Sequence, residues 1–245
     1  MREAWDRQAE TWTRWTRTPG HDSYQKFHGR RFFELLPPPG RLTLDLGAGE
    51  GRVARDLRAR GYMVVEMEGS SALARASAEM PGATVVNADV AHLPVKSGVA
   101  DLAIAFMSMQ DVDEMPAAIA EAARALVPGG YLVMAIVHPM NSAGRFDPPQ
   151  EGEAEIDRPF VVRGSYFAAR HYVEDIVRDS LPMRFESEHR SLDAYARALE
   201  DAGFVIEAMR EVGEPEPESK WSRVPLFLDL RARARSSAKP QVSGR

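Results

Sequence analysis

The feature that most constrains this chain is a glycine-rich turn that follows directly on an apolar strand. Residues 44–52 read Leu-Asp-Leu-Gly-Ala-Gly-Glu-Gly-Arg, so a short strand runs into glycines at every second position. Glycine is needed where a backbone turns tightly and lets a ligand lie against it. The pattern therefore predicts a strand–turn–helix unit of an α/β fold, with a candidate binding site at the turn.

The rest of the chain alternates short strands and helices. Strands are predicted at 41–46, 62–67, 84–88, 100–106, 130–137, 204–210 and 224–230, with a further strand at 183–189. Helices are predicted at 51–61, 70–80, 116–126 and 192–202. Such an alternation favours a doubly wound, mostly parallel, seven-stranded Rossmann-like α/β sheet, because right-handed crossovers leave few other topologies. The last two strands are expected to pair antiparallel at the sheet edge.

Three segments lie outside this alternation in what we expect to be one domain over 1–245. Residues 1–36 are predicted to form an N-terminal helical cap, with helices at 2–17 and 23–36, because Trp5 and Trp12 share one helical face. Residues 139–190 contain prolines, glycines and scattered aromatics, and they are predicted to be a lid or substrate insertion. Residues 232–245 are basic, with serine, proline and glycine, and are predicted to be a flexible tail.

Composition excludes several classes of function. The chain has no cysteine, which excludes disulfides and cysteine-ligated zinc and favours a cytoplasmic location. Its six histidines lack the spacing typical of metal ligands, so no metal is predicted. The net charge is −5, and residues 231–245 contain five basic and no acidic residues. Residues 1–230 therefore carry −10, which disfavours nucleic acid as a partner. No long apolar run or signal-peptide pattern occurs, so no membrane association is expected.

A dinucleotide-binding turn is the main alternative interpretation of the glycines. Its G-x-G-x-x-G fingerprint would use Gly47 and Gly49, but its third glycine falls on Arg52. A bulky side chain at that position argues against the close helix–strand packing of such folds. Asp45, just before the turn, repels a pyrophosphate but suits a cationic amine or a sulfonium.

Five segments, taken in order, resemble the class I S-adenosylmethionine-dependent methyltransferases. Asp-Leu-Gly-Ala-Gly-Glu-Gly at 45–51 is similar to the family's motif I. It is followed by an acid that ends the second strand, by Asn-Ala-Asp-Val at 87–90, by Asp-Leu-Ala-Ile-Ala-Phe-Met at 101–107 and by Leu-Val-Pro-Gly-Gly-Tyr-Leu at 126–132. The wider pattern is similar to a bacterial small-molecule (type 11-like) branch. The resemblance implies S-adenosylmethionine as cofactor and methyl transfer to an oxygen or nitrogen of a small metabolite.

The resemblance also implies which positions contact the cofactor. They are Asp45, Gly47, Ala48, Gly49, Glu68, Gly69, Ser70, Asp89, Val90, Phe106, Met107, Trp15 and Tyr24. Within this set Glu68 is expected to hold the ribose hydroxyls and Asp89 to lie near the adenine amino group. Glu66 is a rival to Glu68, because strand alternation puts both on one face. Trp15 and Tyr24 belong to an N-terminal segment that folds over the cofactor in many relatives, where aromatic faces attract a sulfonium.

Two residues at strand ends are candidates for the transfer step. His138 ends the fifth strand, at the edge where α/β folds bind ligands, so it is a candidate general base; simple packing at a strand end is an equal alternative. Gln110 follows the fourth strand and is a candidate hydrogen-bonding partner of substrate or cofactor. Asp111 and Asp113 are predicted instead to cap the next helix.

The resemblance leaves two classes of function open. The sulfonium already activates the methyl group, so an enzyme of this kind can work by alignment in a dry pocket, without an obligatory base. The alternative is a non-catalytic S-adenosylmethionine-binding protein, or a partner subunit that retains the fold, since fold alone does not decide function.

Overall fold

A computed structural model of the chain, which describes residues 1–235, is built around a seven-stranded sheet. Its strands are β1 (Thr43–Leu46), β2 (Val64–Glu68), β3 (Val85–Asn87), β4 (Ala100–Phe106), β5 (Leu126–Val137), β10 (Phe204–Val212) and β11 (Phe227–Ala234). The order is β10-β11-β5-β4-β1-β2-β3, in which β1 to β5 are parallel while β11 runs antiparallel to both β5 and β10. The predicted fold class and the antiparallel edge pair are confirmed.

Helices cover both faces of this sheet. They are α1 (Arg2–Arg17), α2 (Gly29–Phe33), α3 (Arg52–Ala59), α4 (Ser71–Ala78), α5 (Met115–Ala125), α6 (Pro139–Ala143) and α7 (Leu192–Asp201). On one face α2 and α3 enclose an apolar cluster with Phe32, Leu57 and Ile104. On the other face α5 and α7 enclose a second cluster, which includes Ile119 and Leu199. None of these helices, which lie within residues 1–235, is long and apolar enough to cross a membrane.

The second N-terminal helix differs from the prediction. Residues Tyr24–His28 form a π-helical turn, and α2 ends at Phe33 rather than at residue 36. A Cβ atom on Gly29 would lie 2.8 Å from Cε2 of Tyr24, so glycine lets the backbone pass close to that ring. Single π-helical turns inside helices are frequent at functional sites, and both ends of this one, Tyr24 and His28, line the cavity described below.

The predicted flexible tail is wrong at its start. β11 continues to Ala234, and the remaining residues, 236–245, lie outside the part of the chain that the structure describes. Ala232 is fully buried, whereas Arg231 and Arg233 lie 3.4 and 3.8 Å from the Glu207 carboxylate on the neighbouring strand. The segment is basic, but its side chains point alternately inward and outward, which is typical of a strand.

The insertion at 139–190 contains regular structure of its own. After α6 come a short antiparallel pair, β6 (Gly144–Phe146) with β7 (Phe160–Val162), and a longer hairpin, β8 (Arg170–Arg178) with β9 (Leu181–His189). The strand predicted at 183–189 is therefore part of this hairpin and does not belong to the main sheet. Phe185 on β9 meets the edges of Trp5, Trp12 and Trp15, with ring centroids 6.0–6.4 Å apart, so the hairpin packs on α1.

Candidate functional site

A cavity of about 770 Å³ lies at the carboxyl edge of the parallel strands. The turn after β1 and the ends of β2 and β4 line it, together with α1 and the hairpin β8–β9. Ligands bind at this edge in open α/β sheets, because the connecting helices leave a crevice there. All thirteen cofactor-binding residues predicted from the sequence line the cavity, and so does Gln110.

The backbone turn after β1 is held rigidly against its neighbours. The amides of Gly47 and Ala48 donate to the Met67 carbonyl oxygen on β2 at 2.8 and 3.2 Å. Gly47 has a φ of +75°, and a Cβ atom there would lie 2.5 Å from Cβ of Ser108. The Ser108 hydroxyl in turn donates to the Leu46 carbonyl oxygen at 2.6 Å. The turn therefore excludes any side chain at position 47, so a ligand can approach the backbone itself.

Asp45 is a buried acid without a complete set of partners. It is 1% exposed, and its Oδ2 atom has no hydrogen-bond partner within residues 1–235. Burial, followed by the nearby Glu66 and Glu68 carboxylates, raises the pKa of Asp45 well above its ordinary 3.8. Because an unpartnered buried carboxylate is costly, a cation or hydrogen-bond donor in the cavity would satisfy it.

Glu66 and Glu68 have separate environments. Glu68 lines the cavity, and its carboxylate accepts hydrogen bonds from the amides of Gly49 and Ser70, both at 2.7 Å. Burial raises the pKa of Glu68, although these backbone bonds oppose the rise. Glu66 is fully buried between α3 and α4, where it binds the Arg58 guanidinium and the Ser77 hydroxyl. The geometry therefore favours Glu68 as the residue available to a ligand.

α1 attaches to the rim of the cavity through polar contacts. Arg2 forms an ion pair with Asp89 at 2.8 Å, and the Ser70 hydroxyl donates to Asp6 at 2.6 Å. Asp89 also accepts a hydrogen bond from the amide of Ala91 at 2.9 Å. These contacts tie the N-terminal helix to the ends of β2 and β3, the two positions that the resemblance assigned to ribose and adenine.

The aromatic residues predicted to attract a sulfonium already have cationic neighbours. The Arg52 guanidinium lies 4.5 Å from the ring centre of Tyr24 and 5.1 Å from that of Trp12, while Arg178 lies 5.7 Å from that of Trp15. Arginine thus makes the cation–π contacts expected of the sulfonium. The geometry also explains why a bulky residue fits at position 52. The Arg52 side chain extends towards α1 instead of packing against the strand.

The structure contradicts the prediction of His138 as general base. His138 does not line the cavity, its Nδ1 accepts the Met140 amide at 3.0 Å, and its Nε2 lies 3.1 Å from the Glu211 carboxylate. The physical reason is that α6 starts at Pro139, immediately after the strand, and His138 caps this helix. Both ring nitrogens are therefore engaged away from the cavity.

Gln110 and Asp111 do reach the cavity. The Gln110 amide nitrogen donates to the Met107 carbonyl oxygen at 2.6 Å, and its Oε1 has no partner within residues 1–235. Asp111 accepts the Ser187 hydroxyl of β9 at 2.6 Å, and burial raises its pKa to about 7. Asp113 binds the N-terminal amine at 3.3 Å. The predicted capping roles of both aspartates are therefore wrong, because α5 begins only at Met115.

One pair of residues beside this cavity was not predicted from the sequence. His28, at the end of the π-helical turn, lines the cavity, and its Nε2 lies 2.7 Å from Oδ1 of Asp229 on β11. Their side chains are each only 1% exposed. No local pattern links residues 201 positions apart. A solitary acid inside the apolar segment Phe-Leu-Asp-Leu at 227–230 was the one available signal.

Residues 44–134 match the model of a family described as a methyltransferase domain. These residues therefore resemble a methyltransferase domain. A demethylmenaquinone methyltransferase of Thermobifida fusca is 33% identical over 101 residues, which are 39% of this chain and 43% of that protein. A malonyl-[acyl-carrier protein] O-methyltransferase of Pectobacterium atrosepticum is 28% identical over 113 residues, which are 45% of each protein. The chain therefore spans less than half of the length of these relatives.

The solved structures agree with the family match. An S-adenosylmethionine dependent methyltransferase from Mesorhizobium loti has a TM-score of 0.68 at 23% identity, over 83% of this chain and 96% of that chain. A likeness at this identity shows a shared fold. Together with the matched methyltransferase domain, it confirms the predicted resemblance to the S-adenosylmethionine-dependent methyltransferases.

The side chains of the cavity fit S-adenosylmethionine. The unpartnered oxygen of Asp45 suits the cationic ammonium of its amino-acid arm, and the two oxygens of Glu68 suit a ribose diol. The space above Gly47, from which any side chain is excluded, leaves backbone accessible to the ligand. No cluster of three or more histidine, aspartate or glutamate residues suited to a metal ion occurs in residues 1–235.

Replacing Gly47 with alanine is expected to lower stability and weaken cofactor binding together. A left-handed backbone costs a non-glycine residue about 1–2 kcal/mol, and the clash with Ser108 adds about 1–3 kcal/mol of overpacking. Gly61→Ala is the matched control, since Gly61 also has a positive φ, of +88°, but its nearest outside atom would be 4.0 Å from the added Cβ. Urea unfolding and calorimetric titration should show larger losses of stability and affinity in Gly47→Ala than in Gly61→Ala. Equal losses of stability would show that the contact with Ser108 does not restrict the side chain at position 47.

Proposed function

We propose that this chain transfers the methyl group of S-adenosylmethionine to an oxygen or nitrogen atom of a small metabolite. The observation that carries the proposal is the buried, incompletely partnered Asp45 on the floor of a cavity lined by every predicted cofactor-binding residue. The names of two relatives, a demethylmenaquinone methyltransferase and an O-methyltransferase, support transfer to a small molecule or to a group carried on a protein.

In this proposal each end of the cofactor has its own partner. Asp45 holds the ammonium group and Glu68 the ribose hydroxyls, while Asp89 and Val90 lie beside the adenine. The backbone at Gly47 and Gly49 lies along the amino-acid arm. When bound, the cofactor supplies a methyl carbon that its sulfonium has already activated. The chain's contribution is alignment of the acceptor and exclusion of water.

The N-terminal helix and the insertion are proposed to close over the substrate. Trp5, Trp12 and Trp15 of α1 meet Phe185 of the hairpin β8–β9 edge to face, so the two segments form one apolar cover. Gln110 lines the same cavity, and its Oε1 has no partner among the described residues 1–235. We propose that it accepts a hydrogen bond from the substrate or cofactor.

We propose that the acceptor is not a nucleic acid and that the protein is cytoplasmic. The acidic balance of the chain outside its C-terminal residues disfavours nucleic acid as the acceptor, and no helix within residues 1–235 could span a membrane. The absence of cysteine supports a reducing compartment, so we place the protein in the cytoplasm.

Transfer of a labelled methyl group tests the proposed function. The purified chain is incubated with S-adenosylmethionine carrying a radioactive methyl group and with fractionated small-metabolite extracts. We expect label in a small-molecule fraction, together with an equal amount of S-adenosylhomocysteine. At a cofactor concentration that half-saturates the parent, Glu68→Ala should form about 10- to 100-fold less of both. Cofactor binding without transfer to any fraction would instead favour a non-catalytic S-adenosylmethionine-binding protein.

A further inference from the structure

His28 and Asp229 form an isolated polar pair inside an apolar part of the cavity wall. The His28 ring is stacked on Phe227, with ring centroids 4.1 Å apart and planes inclined by 7°, and its centroid lies 4.9 Å from that of Phe106. Oδ2 of Asp229 has no partner within residues 1–235. A buried ion pair or hydrogen-bonded pair adds little stability compared with apolar side chains of similar size, so fold stability alone does not account for it.

The sheet places this pair beside the cofactor position. Asp229 on β11 is in register with Ala135 on β5, and Ala135 is in register with Phe106 at the end of β4. Residues in register across neighbouring strands project from the same face of a sheet, and Phe106 is one of the predicted cofactor contacts. His28 therefore lies above the strand end that faces the reactive part of the site.

The two ring nitrogens of His28 have different surroundings. Nε2 lies 2.7 Å from the Asp229 carboxylate. Nδ1 has no hydrogen-bond partner within residues 1–235, and it is not fully enclosed by the atoms of those residues. His28 itself lines the cavity. A carboxylate that accepts the proton of one ring nitrogen fixes the tautomer and leaves the lone pair of the other nitrogen free.

We propose that His28, oriented by Asp229, is the general base that takes the proton of a substrate hydroxyl during methyl transfer. This inference rests on the proposed function and narrows its substrate class to a hydroxyl group on an apolar, ring-shaped molecule. The rings of Phe106 and Phe227 beside His28 provide the matching apolar surface, which Phe27 extends through its contact with Phe227.

The proton and the electrons of this step balance. A lone pair of the hydroxyl oxygen forms the new bond to the methyl carbon, and the electrons of the broken carbon–sulfur bond stay on the sulfur. The hydroxyl proton passes to Nδ1 of His28. The imidazolium that forms is paired with the Asp229 carboxylate until the proton leaves to water. The products are a methyl ether and S-adenosylhomocysteine.

The first test observes the tautomer of His28 and needs no substrate. Long-range proton–nitrogen NMR spectra are recorded at pH 8 on protein with ¹⁵N-labelled histidine, and His28→Gln assigns the signals. We expect a neutral ring with its proton on Nε2. We expect Asp229→Asn to move part of the population to the Nδ1-protonated form, because an amide can donate to Nε2. A ring protonated on Nδ1, alone or together with Nε2, in the parent protein would overturn the proposal.

The second test uses the acceptor identified by methyl labelling. Loss of a general base should lower kcat of His28→Gln by about 10²–10⁴-fold, while calorimetry should show affinity for S-adenosylhomocysteine within about twofold of the parent. His138→Gln, outside the cavity, is the matched control and should retain the parent's kcat. Unchanged kcat in His28→Gln would contradict the assignment of His28 as the base. So would a fall in kcat of the expected size in Asp111→Asn but not in His28→Gln. If no acceptor is found, the proposed function fails. The tautomer measured in the first test still shows whether Asp229 orients His28 with Nδ1 free to accept a proton.

Discussion

Asp45→Asn is expected to weaken binding of S-adenosylmethionine by about 10- to 100-fold, because a charge-assisted hydrogen bond contributes about 1.5–3 kcal/mol. The same substitution should raise the free energy of unfolding of the cofactor-free protein by about 1–3 kcal/mol at pH 8, since it removes a buried carboxyl group whose Oδ2 has no partner within residues 1–235. Loss of binding together with a gain of stability is the signature of a residue that serves a ligand rather than the fold.

The pH dependence of this gain follows from the raised pKa of Asp45. The folded chain holds the Asp45 proton more strongly than the unfolded chain, whose carboxyl has its ordinary pKa of 3.8. Stability from this group is therefore lost as the pH rises from the ordinary pKa through the folded pKa. The stability advantage of Asp45→Asn should accordingly be larger at pH 8 than at pH 5.

Urea unfolding at the two pH values, followed by calorimetric titration, measures both effects of Asp45→Asn. Asp193→Asn, on the exposed side of α7 where the aspartate pairs with Arg197, is a control that should change neither quantity appreciably. Tight cofactor binding by Asp45→Asn, or a lower free energy of unfolding of this variant at pH 8, would contradict this prediction. The Asp45 carboxylate would then stabilise the fold instead of binding the cofactor.

Glu66→Gln and Glu68→Gln should have opposite consequences although the two residues are neighbours on one strand. Glu66→Gln leaves the Arg58 guanidinium without its buried counter-charge, which is expected to cost about 3 kcal/mol of the free energy of unfolding. Its affinity for S-adenosylmethionine should stay within about twofold of the parent. Glu68→Gln should cost only about 1 kcal/mol of stability and should weaken cofactor binding by about 10- to 100-fold.

Thermal unfolding and calorimetric titration of both variants provide the comparison. Each substitution removes one negative charge from β2 and keeps the size of the side chain, so each variant controls for the other. If Glu66→Gln lost affinity while Glu68→Gln kept it, the ribose would have to be assigned to Glu66, and the strand register in the cavity would have to be revised.

The cofactor end of the cavity could be predicted from the sequence because its signals are local. The turn at Gly47 and Gly49 follows directly on β1. Of the acids, Asp45 lies near the end of β1, Glu68 ends β2, and Asp89 lies two residues after β3. Carboxyl ends of parallel strands meet at one edge of a sheet, so predicting the strands also brought these side chains together.

The parts that the sequence did not predict depend on contacts distant along the chain or on turns at single residues. His28 of the π-helical turn and Asp229 of β11 are 201 positions apart along the chain, and only the folded structure brings their side chains together. His138 faces away from the cavity because a helix starts at the next residue, Pro139. Of the hairpin β8–β9, only the second strand was predicted within the proposed lid or substrate insertion, because only four of the nine residues in β8 are apolar or aromatic.

Calorimetric titration of the parent protein with S-adenosylmethionine, S-adenosylhomocysteine and the nicotinamide dinucleotides tests which cofactor the cavity binds. We expect the first two to bind at one molecule per chain, since one set of acids serves one cofactor. We expect no binding heat with the dinucleotides, since Arg52 occupies the third glycine position of their fingerprint. Binding of a dinucleotide in place of S-adenosylmethionine would contradict the claim that this cavity is a methyl-donor site.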